Sequence, residues 1–207
     1  MVNLTRIYTR TGDDGSTALG DFSRTRKTDP RLAAFADANE ANAAIGIAVV
    51  AGGLRADVRE VLLRVQNDLF DVGADLCTPL RPSYDYPPLR IRQEWVGELE
   101  ADCDRFNAEL EKLRSFILPG GSAGSAHLHL ACTVVRRAER STWAAIEAYG
   151  VEPATTPEPG GVNAACATYL NRLSDLLFIL ARVANLDAGG DVLWQPGGGR
   201  DEAPARR

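Results

Sequence analysis

Glycines, hydroxyls and acids crowd the segment from residue 7 to residue 20, where core-forming residues are nearly absent. Gly12 and Gly15 can adopt positive φ and let backbone N–H groups converge on an anion. Lys27, with Arg24 and Arg26, follows closely enough to supply the positive charge that a polyphosphate needs. The segment also contains short hydroxyl donors and two acids that can bind a hard cation accompanying phosphates. The donors are Thr9, Thr11, Ser16 and Thr17, and the acids are Asp13 and Asp14. These residue types predict a phosphate-binding loop.

The same segment has a second interpretation as the tip of a β-hairpin. The run Gly12-Asp13-Asp14-Gly15 is good turn chemistry, and on this segment alone both interpretations stand. The spacing is not that of a Walker A loop, which needs lysine directly after its last glycine, and no G-x-G-x-x-G follows a predicted strand. Any nucleotide site in this chain is therefore of another type.

An arginine cluster stands in the middle of the fourth predicted helix. Arg136 and Arg140 lie one turn apart on the face away from the apolar stripe, with Arg137 beside them and Glu139 at the edge. Three arginines in five residues form a fork-shaped receptor for phosphate, which Glu139 can hold in position. An ordinary solvated helix face is the alternative, and this feature by itself does not decide between them.

The fifth predicted helix has a second organised face opposite its leucines. Asn171, Asp175, Phe178 and Arg182 recur at i, i+4, i+7 and i+11, so that an amide, a carboxylate, a ring and a guanidinium share one side. A helix with two organised faces usually has two neighbours. The second neighbour is either another subunit or a ligand, and the plainer alternative is a surface ion pair with a stray phenylalanine.

A hydrophobic loop joins the third and fourth predicted helices between Ser115 and Ser122. Such a run is usually a core plug. Its proline and two glycines fix the path of the chain tightly, however, and could instead present Phe116 to a pocket.

The two histidines do not form a metal site. His127 and His129 are two residues apart, about 200° around a helix, so they cannot share a metal ion and are expected to pack or to hydrogen-bond. No Ser/His/Asp or Cys/His arrangement occurs, and no covalent nucleophile is predicted.

Length and composition indicate a single domain with a full-sized core. The chain has 207 residues, 45% of them apolar, and no shift in composition marks a second domain. The net charge of −5 argues against a nucleic-acid surface, and no apolar run approaches the roughly 20 residues of a membrane span. Because Cys77, Cys103, Cys132 and Cys166 are widely spaced and the N-terminus lacks an apolar signal segment, we expect reduced thiols in a cytoplasmic protein.

Hydrophobic periodicity predicts five helices and almost no strand. They run from Asp29-Pro30 to Gly52-Gly53, from about Asp57 to Leu76, from about Arg90 to Arg114, from Ser122 or Ser125 to Gly150, and from about Asn163 to Leu186. Helices of this length suit an all-α, up-and-down five-helix bundle. The domain over 1–207 then divides into a nucleotide-binding loop (1–28), the helical bundle (29–186) and an extended or partly disordered tail (187–207).

Five segments, taken in order, closely resemble motifs of the PduO-type ATP:cob(I)alamin adenosyltransferases. They are Tyr8–Thr17, Asp29-Pro30-Arg31, Phe116–Gly121, Arg136–Arg140 and Asn171–Asp175. The match is collinear over about residues 4 to 195, and Val192-Leu193-Trp194 is similar to the family's ending. The resemblance implies a homotrimer with active sites at subunit interfaces. It also implies the reaction, which is transfer of the 5′-deoxyadenosyl group of ATP to cob(I)alamin with triphosphate as the leaving group.

The resemblance further implies roles for individual residues. The N-terminal loop would wrap ATP, and Lys27 and Arg136 would contact its phosphates together with Mg²⁺, which receives no assigned protein ligand. Phe116, Asp175 and Phe178 would contact cobalamin. Phe116 would be wedged beneath the corrin, where it excludes the lower axial ligand of cobalt, so that Arg136 and Phe116 carry the catalytic roles. The implied ATP-binding set is Thr9, Arg10, Thr11, Gly12, Asp13, Gly15, Ser16, Thr17, Lys27, Arg136, Arg137, Glu139 and Asn171.

Partners follow from the same resemblance. A flavin-type reductase would reduce cob(II)alamin to cob(I)alamin, and an adenosylcobalamin-dependent enzyme would accept the product.

Two other functions fit parts of the pattern. A non-catalytic trimer could bind ATP or cobalamin for delivery, although the presence of Arg136, Arg137 and Phe116 favours the enzyme. A phosphotransferase using the glycine loop would release ADP, and no general base stands near that loop in sequence.

One departure from the family pattern affects the expected trimer. Family members commonly carry an aspartate where this chain has Asn39 and an arginine where it has Cys132, and those two charges form a salt bridge between subunits. Losing one charge would leave the other unpaired and buried at a cost of about 3–5 kcal/mol, whereas replacing both can be near neutral. We therefore expect a trimer whose interface does not depend on this bridge.

Overall fold

The computed structural model describes residues 8–199, so the predicted loop segment 1–28 and the predicted tail 187–207 lie partly outside the described residues. Five α-helices follow a two-stranded antiparallel hairpin, which confirms the all-α class. The elements are β1 (Ser16–Ala18), β2 (Arg24–Arg26), α1 (Pro30–Ala51), α2 (Ala56–Leu76), α3 (Gln93–Asn107), α4 (Ala123–Tyr149) and α5 (Ala164–Val183).

Side-chain caps start three of the helices where the sequence predicted them. The Asp29 carboxylate accepts a hydrogen bond from the backbone N–H of Arg31 across 2.8 Å, directly before Pro30. Ser122 rather than Ser125 caps α4, because its hydroxyl accepts from the Ser125 N–H. Asn163 caps α5 in the same way. Each cap satisfies an N–H that the helix itself leaves unpaired.

Helices α1 and α4 pack antiparallel over their whole length. The end of α1 meets the start of α4 so closely that a Cβ on Gly124 would lie 2.6 Å from the carbonyl oxygen of Gly52. At the other end Asp29, before α1, bonds to Tyr149, the last residue of α4. Small buried side chains along α1 permit this approach: Ala34, Ala38, Ala41, Ala44 and Ala48.

The apolar stripes predicted for the second and fifth helices form the core. Each fully buried leucine contributes about 1.5–3 kcal/mol to the free energy of unfolding. The stripe of α2 comprises Val58, Val61, Leu62, Val65, Leu69, Val72 and Leu76, and that of α5 comprises Cys166, Tyr169, Leu170, Leu173, Leu176, Leu177 and Leu180. Helix α5 is the one described helix that is long and apolar enough to match a membrane span, and its burial is that of a core helix.

Helix α3 is shorter at both ends than the predicted span 90–114. Before it, Arg90 donates to the buried Asp75 carboxylate, and the N–H of Ile91 donates to the other oxygen of the same carboxylate. These bonds hold the chain extended and delay the helix start to Gln93. After Asn107 the chain turns away, and Glu109 pairs with Arg55 across 2.6 Å.

The segment after α5 folds back onto the loop that precedes α4. Helix α5 ends at Val183 rather than at the predicted Leu186, and the Asn185 side chain then bonds to the backbone of Gly120 and Ser122. Further on, the N–H of Leu118 donates to Val192, and the N–H of Trp194 donates to Phe116. Between two short 3₁₀-helical turns, Leu186–Ala188 and Pro196–Gly199, the described part of the tail pairs with this loop through residues 192–194.

Candidate active site

The polar segment near the N-terminus forms a turn followed by a hairpin. The strands pair Ser16 with Arg26 and Ala18 with Arg24, so the hairpin tip lies at residues 19–23. The interpretation of Gly12–Gly15 as the hairpin tip is therefore wrong. These residues form a separate turn before β1, in which the N–H of Gly15 donates to the carbonyl of Gly12 and Gly15 has a φ of +81°.

This turn lies against Lys27. A Cβ on Gly12 would come within 3.2 Å of the Lys27 ammonium nitrogen and 2.9 Å of the Ser16 carbonyl oxygen, so glycine is the residue that fits. The backbone N–H of Lys27 donates to the carbonyl of Gly15 across 2.9 Å. The structure thus brings Gly12, Gly15, Ser16 and Lys27 together, as the predicted phosphate-binding loop requires.

Asp14 and Arg24 stabilise the conformation of the loop through hydrogen bonds. One Asp14 oxygen accepts from the N–H of Ser16 and from its hydroxyl, and these bonds lower the pKa of Asp14. Arg24 donates to the carbonyl of Thr11 across 3.0 Å and to the Ser16 hydroxyl. Both side chains are therefore engaged within the chain, which leaves Lys27 as the candidate for phosphate contact.

The other predicted residues of this segment lie near the surface. The Thr9 and Thr11 hydroxyls are 2.9 Å apart. Arg10 has a φ of +63°, and its guanidinium stacks over the ring of Tyr8. Asp13 is exposed, and Thr17 lies half-buried within β1.

A partly buried polar anchor joins the hairpin to the bundle. The Asp29 carboxylate accepts from the Thr25 hydroxyl across 2.5 Å and from the Tyr149 hydroxyl across 2.6 Å. Although burial acts to raise it, these bonds hold the pKa of Asp29 below its usual range. Burial and the bond to Asp29 raise the pKa of Tyr149 to about 12. Arg31 stacks over the Tyr149 ring and donates to the carbonyls of residues 76, 160 and 161.

The neighbouring arginines of α4 have different surroundings. Arg137 donates to Asp37 across 3.1 Å and also pairs with Glu40, both on α1. Arg136 contacts the Ser174 hydroxyl across 3.4 Å, and no ion pair within residues 8–199 involves it. The two adjacent arginines therefore do not act together: Arg137 is bound by acids of α1, and Arg136 is not. Arg136 is exposed at the surface, and its charge has no partner among the described residues.

Glu139 and Asn171, predicted as parts of one ATP pocket, are in contact. The Asn171 amide donates to Glu139 Oε1 across 3.1 Å, and the indole N–H of Trp143 donates to the same oxygen across 3.3 Å. This contact joins the polar faces of α4 and α5 that the sequence singled out.

Arg136 lines a cavity of about 600 Å³ with both residues predicted for cobalamin on α5, Asp175 and Phe178. A second cavity of about 730 Å³ shares the wall formed by residues 110–113 and reaches Leu193 in the tail. Asp175 is paired with Arg172 across 2.6 Å. The rest of the first cavity is walled by Asn107, Leu110, Glu111, Lys112, Leu113, Ile179 and Arg182.

Phe116 is presented to solvent and is not buried in the core. It is 78% exposed, so the core-plug alternative is wrong for this chain. The ring of Trp194 meets it edge-on with a centroid distance of 6.0 Å, and the backbone pairing between 116–118 and 192–194 fixes the loop. The tail thus holds Phe116 in an exposed position.

The three parts of the predicted site lie apart within one chain. The hairpin is anchored at Tyr149, the end of α4, and the Phe116 loop leads into the start of the same helix. Arg136 stands midway, roughly 20 Å along the helix axis from either end. The chain alone therefore does not bring Lys27, Arg136 and Phe116 together.

The positions of the missing family salt bridge face different neighbours. Cys132 is buried, with its sulfur 3.2 Å from the Ser174 carbonyl oxygen on α5. Asn39 lies beside Gly73 on α2. Within one chain these side chains therefore point to different helices. The four cysteines are free, as predicted.

His129 packs as the sequence predicted. His129 is buried edge-on against the Phe178 ring, with a centroid distance of 5.8 Å, and burial lowers its pKa. Within residues 8–199, no group of three or more His, Cys, Asp or Glu side chains could hold a metal ion.

The sequence did not identify three sets of residues as contacts of the candidate site: Trp143, Tyr149 and the acids of α1. Trp143 stands four residues after Glu139, a spacing that could have indicated the contact. Asp37 and Arg137 are 100 residues apart, and no sequence signal joins them.

The chain matches a family model described as "Cobalamin adenosyltransferase" over residues 7–184. It is 59% identical over 199 residues to the corrinoid adenosyltransferase of Mycobacterium tuberculosis, covering 96% of this chain and 97% of the relative. It is 37% identical over 195 residues to the Bacillus subtilis corrinoid adenosyltransferase, with 92% of each chain covered. A solved variant of the PduO-type ATP:corrinoid adenosyltransferase of Lactobacillus reuteri, complexed with cobalamin and ATP, superposes with a TM-score of 0.79 at 30% identity, covering 92% of this chain and 97% of that one.

Proposed function

The chain belongs to the cobalamin adenosyltransferase family, and from that premise we propose that it transfers the 5′-deoxyadenosyl group of ATP to cob(I)alamin. The products are adenosylcobalamin and triphosphate. The observation that carries this proposal is the state of Arg136, which forms no ion pair with any described residue and lines a cavity with Asp175 and Phe178. Arg137, one residue further, is neutralised by two acids. A free guanidinium beside a partly apolar cavity suits a phosphate next to a large planar ligand.

The reaction needs no general base from the protein. Cobalt(I) is the nucleophile: its electron pair forms the bond to C5′, and the C5′–O bond breaks with its electrons leaving on triphosphate. The protein needs to align C5′ with cobalt and to stabilise the charge that develops on the leaving group. Arg136 and Lys27 supply that positive charge. Glu139 and Asn171 bind beside them in the ATP pocket, with Arg137 at its edge.

Phe116 acts on the cobalamin side. Because its ring is exposed and fixed by the tail, it can stand against one face of a corrin and exclude the lower axial ligand from cobalt. Removal of that ligand makes cobalt(II) easier to reduce. Phe178 and Asp175 border the adjoining cavity, where Phe178 offers an apolar contact and Asp175 an acceptor for corrin amides.

We propose that the active enzyme is a homotrimer. The hairpin with Lys27 and the Arg136 cavity are separated along α4, so ATP that touches both requires the hairpin of a second subunit. Asn39 and Cys132 carry no charge, so the interface needs no bridge between these positions.

Mg²⁺ enters with ATP. The donor chemistry of the loop fits a hard cation only in part, because the Asp14 carboxylate is engaged by Ser16 while Asp13 is exposed. Asp13 and the second oxygen of Asp14 are therefore the carboxylate groups of the loop that could contact the ion, and the phosphates supply most of its ligands. When bound, Mg²⁺ neutralises charge on the triphosphate.

The proposed partners and location follow from the chemistry. A flavin-type reductase supplies the electron that converts cob(II)alamin to cob(I)alamin, and an adenosylcobalamin-dependent enzyme receives the product. Both belong to the cytoplasm, where we place this protein; a nucleic acid or a membrane has no part in the reaction.

An anaerobic assay with ATP and chemically reduced cobalamin tests the proposal. We expect the absorbance of cob(I)alamin to fall as adenosylcobalamin forms, with one triphosphate released for each adenosyl group. Binding of ATP and cobalamin without turnover would identify a carrier instead. Release of ADP would identify a phosphotransferase.

A further inference from the structure

Trp143 is an exposed tryptophan on the polar face of α4, and the reaction chemistry does not use it. Its side chain is 45% exposed, yet its indole N–H donates a hydrogen bond to Glu139 Oε1 across 3.3 Å. Asn171 donates to the same oxygen from α5. Two neutral donors from two helices thus hold one carboxylate.

Glu139 would neutralise Arg136 if nothing else held it. Residues three apart on a helix are neighbours, and opposite charges at that spacing attract each other. Within the part of the chain that the structure describes, however, no ion pair involves Glu139. Asp175, which lines the cavity with Arg136, is also engaged elsewhere, because it is paired with Arg172. Glu111 lines the same cavity and forms no ion pair with Arg136. Glu139 and Asp175 are therefore held by other groups.

We propose that Trp143 is a positioning residue that, together with Asn171, holds Glu139 away from Arg136 and so keeps this guanidinium open to the triphosphate of ATP. The inference rests on the proposed function, since it takes polyphosphate as the ligand of Arg136. A carboxylate paired with Arg136 would have to be displaced before phosphate could bind. The indole and the amide occupy the carboxylate without carrying a charge of their own, so the positive charge of Arg136 is preserved.

The variant Trp143→Phe tests this role because it keeps an aromatic ring and removes the N–H. We expect the KM for ATP and the Kd for inorganic triphosphate each to rise about fivefold, since a competing surface ion pair is worth up to about 1 kcal/mol. The KM for cob(I)alamin should stay within about twofold, because that ligand does not use Arg136 for binding. Trp95→Phe is the matched control: Trp95 is a half-buried residue of α3 that packs on the core, and its replacement should leave both nucleotide constants unchanged.

The decisive measurement repeats the substitution in a Glu139→Gln background. Glutamine keeps the shape of the side chain and carries no charge, so there is nothing to release onto Arg136. Trp143→Phe should then change the affinity for inorganic triphosphate by less than about twofold. An equal loss in both backgrounds would overturn the inference, because Trp143 would then act on the ligand or the fold directly. An unchanged triphosphate affinity in the single variant would overturn it as well.

The triphosphate titration needs no turnover, so this test is separate from that of the proposed function. If the wild-type protein fails to adenosylate cob(I)alamin, the proposed function is wrong, and the titration still decides whether Trp143 controls access to Arg136. If turnover is normal and the titration shows no coupling to Glu139, only the role of Trp143 is wrong.

Discussion

The two ends of the bundle hold their loops by different physical means. At the hairpin end, the half-buried Asp29 and Tyr149 and the buried Arg31 form a set of hydrogen bonds that involves charged groups. At the opposite end, backbone pairing with the tail and one edge-to-face ring contact hold Phe116, which remains mostly exposed. Phosphate recognition needs donors fixed in advance, whereas a large planar apolar ligand needs an open ring surface. We therefore expect the nucleotide at the first end and the corrin at the second.

The largest expected effect comes from Arg136, which lies between the two ends. Arg136→Ala should reduce kcat/KM for ATP by roughly 10- to 150-fold, because one charge-assisted contact to phosphate is worth about 1.5–3 kcal/mol. Steady-state kinetics and a check of the oligomeric state measure this. Arg137→Ala is the matched control and should cost less in ATP use, since Arg137 is already paired with Asp37 and Glu40. Near-normal kinetics for Arg136→Ala would remove this residue from the site.

Phe116→Ala tests the role of the opposite end and should separate the two chemical steps. With cobalamin already reduced to cobalt(I), adenosyl transfer should be impaired much less than when the enzyme accepts cobalt(II) from a flavin reductant. We expect the two losses to differ by more than about tenfold, which is 1.4 kcal/mol. Spectroscopy of bound cob(II)alamin with ATP should show less of the four-coordinate species.

Stability provides the control for this variant. Because Phe116 is 78% exposed, the melting temperature should change little, whereas loss of a buried phenylalanine costs about 3–5 kcal/mol. Equal losses in both assays together with a lower melting temperature would contradict the wedge role.

Tyr149→Phe tests the anchor at the hairpin end. Loss of its bond to Asp29 should cost about 1 kcal/mol of the free energy of unfolding and raise the KM for ATP a few-fold. The raised pKa gives the effect a pH signature. A tyrosine whose folded pKa is about 12 stabilises the fold fully below its unfolded pKa of about 10, and this contribution disappears as the pH rises toward 12.

Denaturant unfolding at pH 8 and at higher pH checks this signature. The difference in stability between the wild type and Tyr149→Phe should be constant up to about pH 9 and should shrink above about pH 10. A difference that does not depend on pH would mean that the hydroxyl is not bonded to Asp29 in solution.

The smallest expected effect concerns the missing family pair between subunits. Asn39→Asp combined with Cys132→Arg should be tolerated better than either change alone, with a coupling of about 0.5–1 kcal/mol. A double-mutant cycle on the thermal stability of the proposed trimer measures this. Since Cys132 is buried against Ser174, the single Cys132→Arg change should be the most harmful of the three. Simply additive effects would mean that the two positions do not meet across an interface.

The helices were predictable because their signals are local. The cap at Asp29 and the stripes of α2 and α5 can be read within a few turns of the chain, and all were confirmed. Spacing also placed Glu139 and Asn171 on the polar faces of α4 and α5, and the family resemblance put the two in one pocket. Family resemblance, rather than spacing, supplied the reaction.

Long-range pairing accounts for what the sequence missed. Helix α3 starts late because Asp75 holds Arg90, and the polar turn at Gly12 is not the hairpin tip because the strands pair further along. Arg137 was predicted for the ATP pocket, yet its charge is neutralised by Asp37 from a distant part of the chain. Periodicity shows which face of a helix a residue occupies. It does not show which residue from another part of the chain will bind to that face.

The buried Arg31 also affects the order in which parts of the chain become stable during synthesis. Its guanidinium donates to the carbonyl of Leu76, 45 residues along the chain, and to that of Gly160, 129 residues along. A buried guanidinium without these acceptors would be strongly destabilising, so we expect the start of α1 to become stable only after residue 161 has left the ribosome. The hairpin comes first in the sequence, yet it is secured only after most of the chain has been made. A nascent chain that stalls before residue 160 therefore lacks two of the acceptors of Arg31, and the anchor of its N-terminal hairpin is incomplete.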